Sequence, residues 1–182
     1  MSDTVWIALF RGVGGKTQLP VKLLREKLQQ AGFRRVATYI NSGNAVMAND
    51  QPRDAAHAAI VQLCARELGF EKDIYLLSLT EWERLIAQNP FPRATGTGKF
   101  LHAAVLGASP DEADVAALRA HAVDGEGIAV VDRVAYLHTP HGFGRSKLAE
   151  KFDRGIGVPN TARNWNTVVR LAELARAAAE NA

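Results

Sequence analysis

Short apolar runs and amphipathic helical stretches alternate along the first half of this chain, and their order restricts the fold more than any single motif. Val5–Phe10 is an apolar run ended by Arg11-Gly12, which predicts a buried strand. After a glycine-rich loop, Pro20 suits the first turn of a helix over Val21–Ala31, and Gly32 stops it. Arg35–Asn41 and Asn44–Ala48 read as two strands joined around Ser42-Gly43. Arg53–Leu68 is a helix with Ile60, Leu63, Cys64 and Leu68 on one face and Gly69 closing it, and Lys72–Ser78 is a further strand. The order β-α-β-β-α-β is that of a ferredoxin-like unit.

The second half repeats most of that order. Thr80 and Glu83 make a capping-box pair at the start of a helix over Thr80–Gln88. Phe100–Leu106 follows as a strand, then a helix over Pro110–Ala120 with Ser109 as its N-cap, then a hairpin of Ile128–Val131 and Val134–His138. Two helices, Ser146–Arg154 and Thr161–Ala179, close the chain. The expectation is an α+β protein of two ferredoxin-like subdomains, 1–79 and 80–182, the second closed by C-terminal helices. Whether the strands at Lys72–Ser78 and Phe100–Leu106 share a sheet is left open by the pattern.

Composition excludes some classes. With 47% apolar and 23% charged residues among 182, the chain reads as an ordinary globular protein. A net charge of +3 permits an anionic partner without the cation density of a dedicated DNA-binding domain. The lone Cys64 allows no intramolecular disulfide, and Val5–Phe10 is too short for a membrane span or signal-peptide core. These features predict a cytoplasmic protein with no membrane association.

Two cation-rich segments carry the chemistry: Phe143-Gly144-Arg145-Ser146-Lys147-Leu148 and Asn160-Thr161-Ala162-Arg163-Asn164-Trp165-Asn166-Thr167. Each falls where a loop is expected to enter a helix. Ser146, and Thr161 or Asn160, serve as N-caps there. Arg145, Lys147 and Arg163 are not explained by capping, because a cation at a helix N-terminus opposes the dipole at a cost of up to about 1 kcal/mol. An anionic ligand resolves that conflict, as would an internal carboxylate such as Glu150 or Asp153. Trp165 reads as a core residue.

Other motifs are weaker. Gly14-Gly15-Lys16-Thr17 imitates a phosphate-binding loop, but the pattern's first glycine is replaced by Phe10, and Pro20 places the helix too late. Arg11 with Gly12, Gly14 and Gly15 forms either a small anion nest or a tight turn. Asn41-Ser42-Gly43-Asn44 is either a β-turn or a polar contact site. Asp132 belongs in a hairpin turn, His57 reads as a surface residue, and His102 alternates within a strand. His138 and His141 lack a third ligand at useful spacing, so no metal is expected, and no cofactor is called for. Cys64 reads as a buried hydrophobe.

Several segments together resemble one family: Phe10-Arg11-Gly12, Gly14-Gly15-Lys16, Leu19-Pro20, Tyr39-Ile40-Asn41-Ser42-Gly43-Asn44, Gly144–Leu148 and Thr161–Thr167. They are similar, in order, to the signatures of the uncharacterised bacterial family catalogued as domain of unknown function 1697. The resemblance implies a cytoplasmic α+β protein of two ferredoxin-like subdomains and no established activity. It also exposes a departure: members typically read Arg-Gly-Ile-Asn-Val-Gly-Gly in the first loop, where this chain runs from Arg11-Gly12 straight into Val13-Gly14-Gly15.

The resulting expectation is one polar cationic site lined by Arg11, Asn41, Ser42, Asn44, Arg145, Ser146, Lys147, Arg163, Asn164 and Asn166. It would bind a phosphorylated or otherwise anionic ligand, either a nucleotide or a nucleic acid, with Trp6, Tyr39, Tyr75 and Phe100 as strand aromatics for base stacking. The set has no His, Asp or Glu, so a general base is missing. An enzyme of phosphoryl or acyl transfer or hydrolysis would use Ser42 or Ser146 with His141 or Asp132 as base. A third reading is a scaffold or oligomer subunit with no small ligand, its arginines buried against carboxylates.

Overall fold

The computed structural model describes residues 3–41 and 43–180. The chain divides into two compact units: one takes in the residues up to Arg84 together with those from Arg170 onward, and the other runs Leu85–Val169.

The first unit contains β1 (Thr4–Phe10), α1 (Val21–Gln30), β2 (Arg34–Thr38), β3 (Asn44–Asn49), α2 (Arg53–Leu68) and β4 (Ile74–Ser78). Its sheet has the order β2-β3-β1-β4 with every pair antiparallel. The register pairs Trp6 with Met47 and Ala8 with Ala45, so one apolar set faces one side. That set, with Phe10, Ile74 and Leu76, packs with Leu24 and Leu28 of α1 and with Ala56, Ile60 and Cys64 of α2. The Trp6 indole N–H donates to Asn49 Oδ1 at 2.8 Å, satisfying a buried polar pair. The opposite face is buried too, through Val5, Ile7, Leu9 and Val46. His57 is a half-buried anchor of α2 rather than a surface residue, its Nε2 lying 2.8 Å from the Ile74 carbonyl.

The second unit repeats the plan with β5 (Leu101–Leu106), α4 (Glu112–Arg119), β6 (Gly127–Val131), β7 (Val134–His138), α5 (Lys147–Gly155) and β8 (Asn160–Asn164). Its order, β6-β7-β5-β8, is the same permutation, again fully antiparallel. β4 and β5 therefore belong to separate sheets. α3 (Leu79–Ala87) and α6 (Trp165–Glu180) complete the chain. The fold is α+β, with two ferredoxin-like sheets.

Three local expectations need correction. Asn160–Asn164 is an edge strand and not the first turn of the last helix, which begins at Trp165. Pairing with β5, Thr161 opposite Val105 and Ala162 opposite Ala104, supplies the backbone partners that make it a strand. The capping box at α3 lies two residues earlier than expected. Ser78 Oγ accepts from the Glu81 N–H at 3.3 Å, and Glu81 Oε2 accepts from the Ser78 N–H at 2.8 Å. Asp111, not Ser109, precedes α4, and it makes no side-chain cap.

Candidate functional site

In the first unit, β1 delivers Phe10 and Arg11 to the sheet end where the Tyr39–Asn44 turn lies. The Phe10 N–H donates to the Gly43 carbonyl at 2.9 Å, and the Arg11 N–H donates to the Asp73 carbonyl at 3.0 Å. Gly43 has φ +76°, and a Cβ there would fall 2.8 Å from Phe10 Cβ and 2.7 Å from Val13 Cγ2. The glycine-rich loop and the polar turn are thus in direct contact. Asn44 is fully buried, and its Nδ2 donates to the Tyr39 carbonyl at 3.2 Å, while the Tyr39 N–H donates back to the Asn44 carbonyl at 3.1 Å. Asn44 is therefore a structural clamp. Asn41 is exposed; Ser42 lies outside the described residues.

The glycine-rich loop is a tight turn. Gly14 and Thr17 exchange N–H···O bonds of 2.8 and 3.0 Å, with Gly14 and Gly15 both at positive φ. These bonds occupy the Gly14 and Thr17 amides that a phosphate cradle would present.

In the second unit, a single 3₁₀ turn, Phe143–Arg145, leads into α5. Ser146 caps the helix, its Oγ accepting from the Ala149 N–H at 3.1 Å, and it is buried. Arg145 and Lys147 flank it and are both exposed. Neither side chain makes an ion pair or hydrogen bond among the described residues. The carboxylates expected as alternatives are engaged elsewhere: Glu150 lies 3.7 Å from Lys151, and Asp153 Oδ1 accepts from Asn160 Nδ2 at 3.2 Å.

The remaining expected residues, Arg163, Asn164 and Asn166, lie on β8 and at the start of α6. Arg163 lies on β8 opposite Ala103, and its Nη1 donates to Thr161 Oγ1 and to the Ala162 carbonyl, each at 2.8 Å. Burial pulls its guanidinium down to about 10. Asn164 is the N-cap of α6, accepting from the Thr167 N–H at 3.0 Å. Exposed Asn166 packs its side chain over Gly98, where a Cβ would collide with it. Trp165 is buried.

One residue given no role in the sequence reading belongs beside the cationic turn. His102 of β5 stacks on Phe143, the ring centroids 4.0 Å apart. Its Nδ1 is buried without a hydrogen-bond partner among the described residues, and burial pushes its pKa down to about 4. Strand alternation put His102 on a face but could not show that a loop forty residues later would cover it.

Of the aromatics expected to stack on bases, Trp6 is closed off, while Tyr39, Tyr75 and Phe100 are half-buried. Every described residue of β3, and every residue of β1 after Thr4, is buried, so Trp6 offers no open ring. Trp6 is instead covered by the Arg53 guanidinium, 5.3 Å from the ring centroid. Tyr39 lies beyond the end of β2, and Phe100 precedes β5 with Lys99 Nζ 4.8 Å from its ring centre. The catalytic alternative gains nothing at Ser146, whose Oγ serves the cap. His141 Nε2 lies 3.1 Å from the Asp124 carbonyl, and Asp132 Oδ2 accepts from Gln88 Nε2 at 3.2 Å. No helix among the described residues is long and apolar enough to cross a membrane.

The comparisons with known proteins agree with the architecture. The chain superposes on a conserved bacterial protein of Streptococcus pneumoniae with a TM-score of 0.73, covering 96% of this chain and 99% of that one at 20% identity. At that identity the likeness speaks for the fold alone. No curated protein matches the chain. Residues 4–136 match the family model described as "Protein of unknown function (DUF1697)".

Proposed function

Because the chain belongs to DUF1697, a family whose description assigns no activity, its role has to be read from its own residues, and we propose that it is a binding protein for a phosphorylated or otherwise anionic ligand. The observation that carries this reading is the pair Arg145 and Lys147, exposed on either side of the Ser146 cap and free of ion pairs among the described residues. At that position each cation opposes the helix dipole, and an anion between them would reverse the sign of the interaction. Arg offers a bidentate fork to phosphate or carboxylate and Lys a mobile point charge.

A small phosphorylated ligand such as a nucleotide fits better than a single strand of nucleic acid. Binding of the latter on a ferredoxin-like sheet needs exposed aromatics, and the buried faces of β1 and β3 offer none. A cytoplasmic setting suits a chain whose one cysteine is fully buried.

A thermal-shift screen tests the reading. Inorganic phosphate, mononucleotides and short single-stranded RNA and DNA are compared at low and moderate salt, using the wild type and an Arg145→Ala/Lys147→Ala double variant. A ligand at a hundredfold excess over its dissociation constant stabilises by about 2.7 kcal/mol. The expected result is a stabilising small anion whose effect disappears in the double variant and depends only shallowly on salt. Stabilisation retained by the variant, or none by any anion, would overturn the proposal.

A further inference from the structure

The two sheets leave β2, β4, β6 and β8 as edge strands, and an open edge is a template for another chain. All but β6 are blunted by this chain's own residues. β2 is broken by a bulge between Arg34 and Ala37, with Arg35 at φ +52°, and Arg34 and Arg35 both bond Asp3. On β4 the Arg11 N–H donates to the Asp73 carbonyl, so Ile74, Leu76 and Ser78 turn their main-chain groups outward. His57 Nε2 lies 2.8 Å from the Ile74 carbonyl, and Arg53 Nη1 donates to the Leu76 carbonyl at 2.8 Å. Glu81 Oε2 accepts from the Ser78 N–H. On β8 the outward carbonyl of Ala162 accepts from Arg163 Nη1.

β6 has no such device. The Leu106 N–H donates to the Arg133 carbonyl and the Thr139 N–H to the Phe100 carbonyl, so the residues between them on β7 face β5 and β6 alternately. Val134, Tyr136 and His138 face β6. Ile128 and Val130 lie opposite Leu137 and Ala135, and their N–H and C=O groups therefore point away from the sheet. Those groups form no hydrogen bond among the described residues. The strand, Gly-Ile-Ala-Val-Val, also lacks the charge or proline that commonly protects an edge.

The occupant that fits is a second copy of the same strand. Antiparallel pairing centred on Ala129 sets Ile128 opposite Val130 of the second copy, and Val130 opposite its Ile128. Every outward group is then satisfied in one register. Sliding toward the N-terminus would set Val130 opposite Glu126, whose N–H already donates to the Val123 carbonyl at 2.8 Å.

Charge on α4 complements the same symmetry. α4 packs on β6 and α5, with Leu118 and Asp114 close to Gly155 and Gly157 and with Val115 in the core. Glu112 and Arg119, about two turns apart, share the flank away from α5, beside the strand edge. Both are exposed and make no ion pair among the described residues. Two-fold pairing of the strands lays the two α4 helices side by side in opposite directions, each Glu112 toward the other's Arg119. At the strand ends Glu126 meets the second copy's hairpin turn, where Asp132 is engaged by Gln88 and Arg133 is exposed.

We propose that the protein forms a two-fold dimer through β6, which joins the second-unit sheets of two copies into one antiparallel sheet. A strand edge with one helix flank lies at the small end of interface sizes, so the dimer dissociates on dilution.

Sedimentation velocity from about 1 μM to about 1 mM tests it on the wild type, Val130→Pro, Arg119→Glu and the double variant Glu112→Arg/Arg119→Glu. Proline at position 130 removes an outward N–H and keeps the ladder to β7. The expected result is a reversible dimer in the wild type that Val130→Pro abolishes. Arg119→Glu should raise the dissociation constant about threefold or more, and the double variant should return it toward the wild-type value. A wild type that stays monomeric throughout would overturn the proposal and leave the edge to an extended segment of a different protein. A dimer retained by Val130→Pro, or unweakened by Arg119→Glu, would overturn it by placing the interface elsewhere. Should circular dichroism show Val130→Pro unfolded, the charge pair decides alone, and a double variant that fails to recover overturns the proposal.

Discussion

A buried imidazole nitrogen with no hydrogen-bond partner costs a fold free energy, and His102 Nδ1 has none among the described residues. The stack of His102 on Phe143 offsets part of that cost and ties β5 to the turn carrying Arg145. It also links stability to pH. The native ring stays neutral down to about pH 4, whereas in the unfolded chain it titrates near 6.5. Between those values the unfolded state binds a proton that the native state refuses. The stability that depends on neutral His102 is therefore complete above about pH 6.5 and lost as pH falls toward 4. The contribution is at most about 3 kcal/mol. Urea unfolding at pH 7 and pH 4.5 should show this loss in the wild type and a smaller one in His102→Phe, which keeps an aromatic stack. Equal losses in the two proteins would refute the linkage.

At the scale of elements, what was legible followed from local chemistry. The span Arg53–Leu68 was readable from apolar periodicity, and Gly69 does sit in the left-handed conformation that ends the helix. The hairpin of β6 and β7 was readable because Asp132, at φ +53°, occupies the turn its residue type favours. What misled was competition between equivalent local signals. Ser78–Glu81 and Thr80–Glu83 both satisfy the capping-box spacing, and only the end of β4 at Ser78 selects the first. Asn160-Thr161-Ala162-Arg163-Asn164 is rich in cap formers and has no apolar alternation, so its strand character comes wholly from pairing with β5.

The strand at Asn160–Asn164 alters the site as well. Ser146, Arg145 and Lys147 belong to a helix N-terminus as expected, but Arg163 belongs to a strand. The cap of α6 is Asn164, and Asn164→Ala should therefore destabilise the protein by about 1 kcal/mol. Asn160→Ala should act through a different loss, that of the side-chain bonds to Asp153 and to the Val158 carbonyl. Denaturant midpoints for the two variants check the assignment: an Asn164→Ala protein as stable as wild type would remove the cap from its role.

On the scale of the whole molecule, each unit has its own antiparallel sheet with the same strand permutation, yet the units are not consecutive in the chain. The second is contained within the first, which resumes at Arg170 in the middle of α6. Truncation after Val169 removes no strand of the first sheet but takes away Leu171, Ala172, Ala175 and Ala178, all buried. Amide exchange in β1 and β3 should then quicken while that in β5 and β7 is comparatively preserved. The opposite pattern would show that the last helix does not belong with the first unit.

This arrangement has a consequence for how the protein is made. During vectorial synthesis the ribosome delivers all four strands of the first sheet early, but the segment from Arg170 onward that completes their unit emerges only after the second unit. The second unit, uninterrupted in the chain, has every residue it needs before that point. Domains generally fold as units while they are being synthesised. The nascent chain must therefore carry an unfinished first unit through the whole synthesis of the second, and the N-terminal half is where a holdase chaperone would find its substrate.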